Sequence, residues 1–465
     1  MDVLSKTSQP INEINMDIAA VKRRLSMVED LAETLANVDL LTGPDVKMRL
    51  KAKSMAIKFG YMDENDVFVP PKEVLLYLVR MGSFNSSPKI LNEDSQDDDV
   101  SLPKNISRNE LLQYCHKRPY GQLMVKRAFK KARRSAVKNG EDAENLGIKV
   151  KKLNAVTEVC SDYTTSPQNL RVLQWNILSQ ALGKSNDNFV KCPYEALDWN
   201  HRRYLIVEEI VEYCPDIICL QEVDHFNFLK HVLGTQGYMG MFFPKPDSPC
   251  FYIHDNNGPD GCAIFYRSDK FDLLKADTRI LEMWTIQSNQ VALLMTLKLK
   301  ETGEEICVAT THLKAKHSAL LATLRNEQGK DLLEFLKQSC EGRPLILCGD
   351  FNAEPVEPVY NTVLQSKLNF ASAYAECNRD KNDRIPSADR EPPYTTWKVR
   401  EEGEVCHTID YVFYTKSKFE VEAVLEFPSG EEIGNGRVPS MSYPSDHFSL
   451  VCDFKIRTNS DTSIE

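Results

Sequence analysis

The chain has 465 residues, of which 42% are hydrophobic and 27% are charged, a composition typical of a globular protein with one large domain and a smaller part. It contains no run of about 18 apolar residues, which excludes an ordinary membrane-spanning helix. The net charge of −10 is unevenly distributed, because residues 101–152 hold 14 Lys and Arg against 4 Asp and Glu, whereas residues 170–455 carry a net charge of −12. Such an acidic domain is poorly suited to binding a long polyanion without sequence preference.

The first 168 residues differ in character from the remainder of the chain. Apolar residues at helical spacing over 14–37 and 72–82 predict a helical region over 1–84, to which we assign no role. Residues 85–168 combine an acidic, polar linker with a basic segment, and residues 122–138 (QLMVKRAFKKARRSAVK) are predicted to form a basic amphipathic helix. That helix is either a solvated surface or a contact for RNA, a membrane surface or an acidic partner.

The expected compartment is the cytosol. The N-terminus carries acidic residues early and lacks a secretory or transit pattern, although alternative N-termini would direct a form of such a protein to mitochondria. The 13 cysteines form no CxxC pair and several lie in apolar runs, which indicates a reducing compartment and not a disulfide framework. We expect a monomer.

Eight apolar runs predict β-strands, and helical patterns over 202–213 and 318–338 lie between them. The predicted strands are 171–178, 216–223, 261–267, 291–299, 305–313, 344–352, 408–415 and 448–456. This order predicts an α/β sandwich of two packed mixed β-sheets flanked by helices, over residues 169–456, followed by a disordered tail at 457–465. A chain that begins near residue 165 is therefore expected to fold alone.

Polar residues of the kinds that bind metals and activate water stand at the ends of six of these strands. They are Asn176, Glu222, His312, Asp350 with Asn352, Asp410, and Asp446 with His447. Asp350 and Asn352 lie two positions apart, so in an extended chain they point to the same face. Each cluster alone would be explained as a cap, a turn or a core histidine, but six together indicate a catalytic site.

The residue types on the metal side indicate hydrolysis of a phosphate ester. Oxygen ligands from Glu222, with Asn176 and Asp446 as further candidates, suit Mg²⁺ or Mn²⁺ and not zinc, whose usual His and Cys cluster is missing. Asp350 would accept the proton of an attacking water, and Asn352 would orient that water.

The histidines would supply protons or hydrogen bonds to the phosphoryl group. Asp410 would keep His447 protonated and aimed at a phosphoryl oxygen, and His312 would provide a second donor. The sequence carries no serine or cysteine nucleophile motif, so we expect direct attack by water.

Six short motifs carry a resemblance to a known family. QWNIL, LQEV, THL, GDFN, IDY and PSDH, in this order, resemble the signature of the exonuclease–endonuclease–phosphatase superfamily, and DGCAIFYR (260–267) with PSDHFSLV (444–451) is similar to its deadenylase-like branch. The resemblance implies that Glu222 is the principal metal ligand. It implies that the rest of the site consists of Asn176, Asp350, Asn352, Asp410 and His447.

Further segments are similar to one group of that branch, whose members remove the 2′-phosphate from NADP⁺ and NADPH. The segments are FFPKPDSPC (242–250), NNGPDGCAIF (256–265), THLKAK (311–316), GDFNAEP and EPPYTTWKVR (391–400). This resemblance implies that substrate phosphates are bound by Lys245, Lys314, Lys316 and Arg400, together with Asn352. The position of Lys316 is usually Arg in that group, and lysine keeps the charge but loses the planar fork. Two functions remain open, an NADP(H) 2′-phosphatase and a poly(A)-specific 3′-exoribonuclease, and the acidic surface favours the first.

Overall fold

The computed structural model describes residues 102–103, 105–117, 125–132 and 166–457, except residues 186, 255, 317 and 381–383. The strands of this described part are β1 (Phe129–Lys131), β2 (Asn169–Asn176), β3 (Ile217–Val223), β4 (Tyr238–Pro244), β5 (Gly261–Arg267), β6 (Phe271–Met283), β7 (Ile286–Leu299), β8 (Glu305–His312), β9 (Leu345–Asp350), β10 (Phe370–Ser372), β11 (Thr396–Arg400), β12 (Gly403–His407), β13 (Asp410–Thr415), β14 (Phe419–Leu425) and β15 (Leu450–Ile456). The helices are α1 (Arg108–His116), α2 (Gln180–Ser185), α3 (Trp199–Tyr213), α4 (Phe226–Gly234), α5 (Ala319–Cys340), α6 (Pro358–Leu364), α7 (Ala373–Cys377) and α8 (Gly430–Ile433). Short 3₁₀ turns lie at Tyr194–Leu197, Pro249–Tyr252 and Ser387–Arg390.

Two large mixed sheets form the body of the fold. The first has seven strands in the order β1-β14-β15-β2-β3-β5-β4, and the second has six in the order β10-β13-β9-β8-β7-β6. Strands β11 and β12 form a separate hairpin sheet. In each large sheet one neighbouring pair runs parallel, β2 with β3 and β8 with β9. The carboxyl ends of these four strands carry Asn176, Glu222, His312 and Asp350, which belong to four of the six polar clusters on which the sequence prediction rested.

The core between the sheets follows from the period-two pattern of the strands. Ile346 and Cys348 of β9 pack with Val172 of β2 and Cys219 of β3 in the layer that separates the sheets. The alternate residues of β9 face the other way and pack against α5 and α6. The opposite outer face, on the seven-stranded sheet, is covered by α1, α3 and α4.

The predicted fold class is confirmed: two mixed sheets are packed together and flanked by helices. Each of the eight predicted strands corresponds to one in the structure, and the two predicted helices correspond to α3 and α5. Strands β4, β6, β10, β11, β12 and β14 were missed, since several are short or are polar on one face.

The basic helix predicted over 122–138 is wrong for residues 125–132. Val125–Ala128 are irregular, and Phe129–Lys131 form β1, which pairs antiparallel with the edge of β14. Backbone hydrogen bonds to that edge, together with packing of Phe129 on Tyr213, outweigh the weak helical pattern. The remaining residues of 122–138, and the helices predicted over 14–37 and 72–82, lie outside the described residues.

Helix α1 also belongs to the fold. It begins with a capping box between Ser107 and Glu110, and Leu111 on its inner face is buried against α3. The Arg108 guanidinium donates to the carbonyl of Val211 at 3.0 Å. The expectation that a chain beginning near residue 165 folds alone overlooked these contacts, because sequence alone does not show that α1 and β1 complete both the outer core and a sheet edge.

No helix within the described ranges is long and apolar enough to cross a membrane. Eleven cysteines of the described residues are free thiols, nine of them buried.

Candidate active site

Asn176 joins the two sheets at the end of β2. Its side chain is fully buried, and its Nδ2 donates to Glu222 Oε1 at 3.0 Å and to Asp350 Oδ2 at 2.9 Å. The backbone N–H of Leu178 donates to Asn176 Oδ1 at 3.0 Å, which fixes the orientation of the amide. Since Glu222 ends β3 and Asp350 ends β9, one amide holds carboxylates from both sheets together.

Glu222 is presented by an irregular stretch of β3. Its φ of 55° is unusual for a residue other than glycine, and the register with β5 shifts between Leu220 and Val223. The Ser179 N–H donates to Glu222 Oε2 at 3.1 Å. Backbone strain of this kind is typical of a functional position, and here it leaves the carboxylate partly exposed.

Asp350 is buried at the centre of the cluster. Its Oδ1 accepts the N–H of Asn352 at 2.8 Å, and Asn352, with a φ of 49°, donates its Nδ2 to the carbonyl of Leu313 at 3.1 Å. Burial, followed by repulsion from Asp410, raises the pKa of Asp350 to about 7. A carboxyl group with this pKa is suited to exchange a proton near neutral pH.

His447 is held by a carboxylate–imidazole pair. Its Nδ1 lies 2.8 Å from Asp410 Oδ2, which also accepts the Thr395 hydroxyl at 2.6 Å. The Nε2 of His447 lies 3.8 Å from Asp350 Oδ2 and 3.8 Å from Asp446 Oδ2. Burial lowers the pKa of His447, but the surrounding carboxylates outweigh it and raise the pKa to about 9. This imidazole is therefore protonated at neutral pH, as predicted for a donor.

His312 has the opposite electrostatic state. Burial, followed by the positive charges of Lys245 and His447, lowers its pKa well below the usual value. Its Nε2 lies 3.6 Å from Asp350 Oδ2, and its Nδ1 lies 3.5 Å from Lys245 Nζ. Because an ammonium group only donates, Nδ1 is the acceptor and the neutral ring carries its proton on Nε2, facing the cluster.

Lys245 was predicted to bind a substrate phosphate, but in the structure it is buried in an ion pair. It is only 6% exposed, and its Nζ donates to Asp260 Oδ2 at 2.6 Å. The Ser248 hydroxyl donates to the other oxygen of Asp260. Asp260 was not predicted, although NNGPDGCAIF was recognised as a motif, because sequence alone does not reveal which lysine the carboxylate meets.

Lys398 was also missed. Its Nζ donates to Asp446 Oδ2. Burial raises the pKa of Asp446, but the positive charges of Lys398 and His447 outweigh burial and hold that pKa well below its usual range. The alternation of β11 places Thr396, Lys398 and Arg400 on one face, a signal that could have identified Lys398 beside the predicted Arg400. Asp446, predicted as a metal ligand, is thus neutralised by a lysine and less available to a metal.

The predicted phosphate-binding cations fall into two groups. Lys314 is partly buried and Lys316 is exposed. Burial lowers the pKa of Lys314 most, and the positive charges of Lys316 and Lys245 lower it further. Arg400 lies on the side of Asp446 instead and donates to Asp187 Oδ1 at 2.8 Å. Burial raises the pKa of Asp187 to about 7, against the attraction of Arg400. Lys314, Lys316 and Lys245 therefore act on one another, whereas Arg400 acts on Asp446 and Asp187.

The donor set fits a hard divalent cation. Asp350, Asp410 and His447 place ligand atoms within 4.8 Å of one another. Asp410 Oδ2, the oxygen nearest to His447, already accepts two hydrogen bonds and is less available to a cation. Glu222 is partly exposed beside Asp350 and is more available. An oxygen-rich cluster of buried carboxylates, one with a raised pKa, is the environment that a cation such as Mg²⁺ stabilises.

Comparisons with known proteins agree with this geometry. The model of the Endonuclease/Exonuclease/phosphatase family matches residues 173–447. The chain is 51% identical to Nocturnin of Drosophila melanogaster over 469 residues, covering 98% of this chain and 72% of that protein. It is 30% identical over 338 residues to human 2′,5′-phosphodiesterase 12, covering 62% of this chain and 51% of the relative. The structure of the human Nocturnin catalytic domain with bound sulfate anion is 42% identical, with a TM-score of 0.52, over 63% of this chain and 95% of that domain.

Proposed function

Because the chain belongs to the Nocturnin group of the Endonuclease/Exonuclease/phosphatase family, we propose that it hydrolyses the 2′-phosphate of NADP⁺ and NADPH to give NAD⁺ and NADH. The observation that carries the proposal is the charge distribution around the site. Lys314 and Lys316 lie near Lys245 beside His312, within a domain whose net charge is −12. A few concentrated cations suit a compact dinucleotide, whereas the acidic surroundings repel a long polynucleotide.

The proposed reaction is direct attack of water on phosphorus. Asp350, whose pKa is about 7, accepts the proton of that water, and the rigidly held Asn352 orients it. The bond between phosphorus and the ribose 2′-oxygen breaks, and that oxygen leaves as the free 2′-hydroxyl after taking a proton from solvent water. His447 donates a hydrogen bond to a phosphoryl oxygen, and the neutral His312 offers the proton on its Nε2 as a second donor.

Glu222 would hold the cation, with Asp350 adjacent. Asn176 was predicted as a further ligand, but its Nδ2 donates to both carboxylates, so it holds them in place for the cation. When bound, Mg²⁺ or Mn²⁺ neutralises charge on the phosphoryl oxygens and polarises the attacking water. Lys398 keeps Asp446 ion-paired, which limits the negative charge that the substrate phosphate meets.

The alternative, a poly(A)-specific 3′-exoribonuclease, uses the same catalytic set. The sequence feature that favoured this alternative was the basic segment 122–138. In the described part of that segment, Lys126 Nζ lies 2.8 Å from Glu212 and Arg127 lies 2.6 Å from Glu209. Lys130 Nζ donates to Asn378 at 2.7 Å. Cations engaged within the fold contribute less to phosphate binding, so this part of the segment favours the phosphatase.

The test is a pair of assays at matched ionic strength with Mg²⁺. We expect release of inorganic phosphate from NADPH and NADP⁺, and an intact poly(A) oligonucleotide. Shortening of poly(A) without phosphate release from NADPH would refute the proposal and establish the exonuclease.

A cation variant links the assay to the geometry. Lys314→Ala should mainly raise KM for NADPH, since a charge that binds ground and transition states alike affects KM more than kcat. Lys337→Ala, on the exposed face of α5, is the matched control and should change neither constant. An unchanged KM for Lys314→Ala would remove this lysine from the substrate site.

A further inference from the structure

The connection between β8 and α5 carries two of the lysines proposed to bind the substrate, and its conformation is unfavourable in itself. The φ of Lys316 is 76°, a left-handed backbone conformation that residues other than glycine adopt at a cost. Burial lowers the pKa of Lys314, and the like charges of Lys316 and Lys245 lower it further, so the three cations repel one another. Backbone strain and charge repulsion both oppose this arrangement, which therefore requires an anchor.

Arg325 of α5 supplies that anchor. Its side chain is completely buried, and its Nη1 donates to the carbonyl of Lys314 at 3.1 Å and to the carbonyl of Lys316 at 2.6 Å. The N–H of Lys314 donates to Gln328 Oε1 at 3.1 Å. Backbone groups of both lysines are therefore bound by side chains of the same helix.

The guanidinium of Arg325 is itself fixed by Glu357, the residue that precedes α6. Its Nε and Nη2 donate to Glu357 Oε2 at 3.0 Å and 2.6 Å. All three nitrogens of the guanidinium are thus used, on two segments of the chain. A lysine would keep the charge but could not reproduce this planar set of contacts.

Arg325 acts on a ligand only through other residues. Because its side chain is 0% exposed, it cannot touch a substrate, and its charge is paired with Glu357. Its remaining donors meet the backbone of the two residues that are proposed to contact substrate phosphates. Cations held in place before binding lose less conformational freedom when the ligand arrives, which strengthens binding.

We propose that Arg325 is a positioning residue for substrate binding, which holds Lys314 and Lys316 together so that their ammonium groups meet the phosphates of the dinucleotide. The inference rests on the proposed function, since NADP(H) is taken as the ligand. An arginine that served folding alone would change the free energy of unfolding, but it would not change the affinity of the folded protein for its substrate.

The test compares Arg325→Lys with the wild type in the full chain. Phosphate release from NADPH with Mg²⁺ gives KM and kcat, and calorimetric titration with NADPH in EDTA gives Kd without hydrolysis. We expect KM and Kd to rise about tenfold while kcat stays within about twofold. Arg279→Lys is the matched control, because Arg279 makes the same kind of ion pair with Asp331 of α5, at 2.7 Å, and this variant should change none of the three constants.

A second comparison shows whether Arg325 acts through the lysines. In a chain that carries Lys314→Ala and Lys316→Ala, adding Arg325→Lys should change kcat/KM by less than about twofold. If Arg325→Lys does not fold, Glu357→Gln replaces it in both comparisons. Glu357→Gln removes the charge that fixes the guanidinium, and it should raise KM about threefold only when the lysines are present.

Three results would overturn the proposal. They are an unchanged KM and Kd in the Arg325 and Glu357 variants, a full loss of kcat/KM that persists without the lysines, and an equal effect of Arg279→Lys. Failure of the proposed function is recognised separately, because the wild type would then release no phosphate from NADPH. In that case the role of Arg325 toward this substrate is refuted with it.

Discussion

Arg127→Ala is expected to destabilise the fold by about 3 kcal/mol, the lower end of the range for breaking a buried ion pair. The Arg127 side chain is 4% exposed and lies 2.6 Å from Glu209, whose side chain is 7% exposed. It also donates to the carbonyl of Ser449 at 3.0 Å. Removing Arg127 leaves the Glu209 carboxylate buried without its cation. The Ser449 hydroxyl continues to donate to Glu209, which is why we expect the lower end of the range.

The adjacent residue supplies a control. Lys126 is 41% exposed and pairs with Glu212, so Lys126→Ala should cost no more than about 1 kcal/mol. Urea unfolding of both variants, followed by tryptophan fluorescence, measures the difference. Adding Glu209→Gln should recover part of the loss in Arg127→Ala, because the uncompensated charge is then gone. Equal losses in Arg127→Ala and Lys126→Ala would refute the reasoning that the buried pair joins β1 to the fold.

Four further predictions concern the catalytic cluster and the extent of the domain. Glu222→Gln keeps the shape of the side chain but removes the charge that would hold the cation. The kcat at saturating Mg²⁺ should therefore fall more than about a hundredfold. Retention of about a tenth of the activity would contradict the metal assignment. With Mg²⁺ bound, the rate should rise with pH at values below about 7, because the cation lowers the pKa of Asp350 that burial raises, and it should fall on the alkaline side as His447 loses its proton. Asp410→Asn removes the strongest attraction that raises the pKa of His447, so the alkaline fall in the pH–rate profile should move to lower pH; an unmoved fall would exclude His447 as its origin. Removal of residues 1–165 should destabilise the protein more than removal of residues 1–100, because only the former deletes α1 and β1; equal urea midpoints would show that these elements are dispensable.

The strands and the placement of polar residues at their ends could be predicted because both depend on local pattern. An apolar run such as 344–347 followed by GDFN identifies a buried strand and the polar residues that follow it. Parallel strands bring their carboxyl ends to one edge, and the register of β8 and β9 aligns His312 with Asp350.

The features that were missed depend on partners distant in sequence. Segment 125–132 carries an ambiguous apolar pattern, and its conformation is decided by the edge of β14, nearly 300 residues away. From the sequence alone, Lys245 is interpreted as a free cation, because its ion pair with Asp260 across the β4–β5 connection is evident only in the structure. Neither pairing follows from the spacing of residue types alone.

The groups proposed to carry out the reaction and the groups proposed to select its substrate are borne by different parts of the chain. Asn176, Glu222, Asp350 and Asp410 end or begin paired strands, where a change of length would shift the register of a whole sheet. Lys314 and Lys316 lie instead on the connection after β8, where a change of side chain leaves the register of both sheets intact. Duplicated genes that drift in such connections would acquire new substrates while inheriting an intact catalytic apparatus. In the laboratory, the same separation makes the β8–α5 connection the natural place to randomise residues when a different phosphate ester is sought.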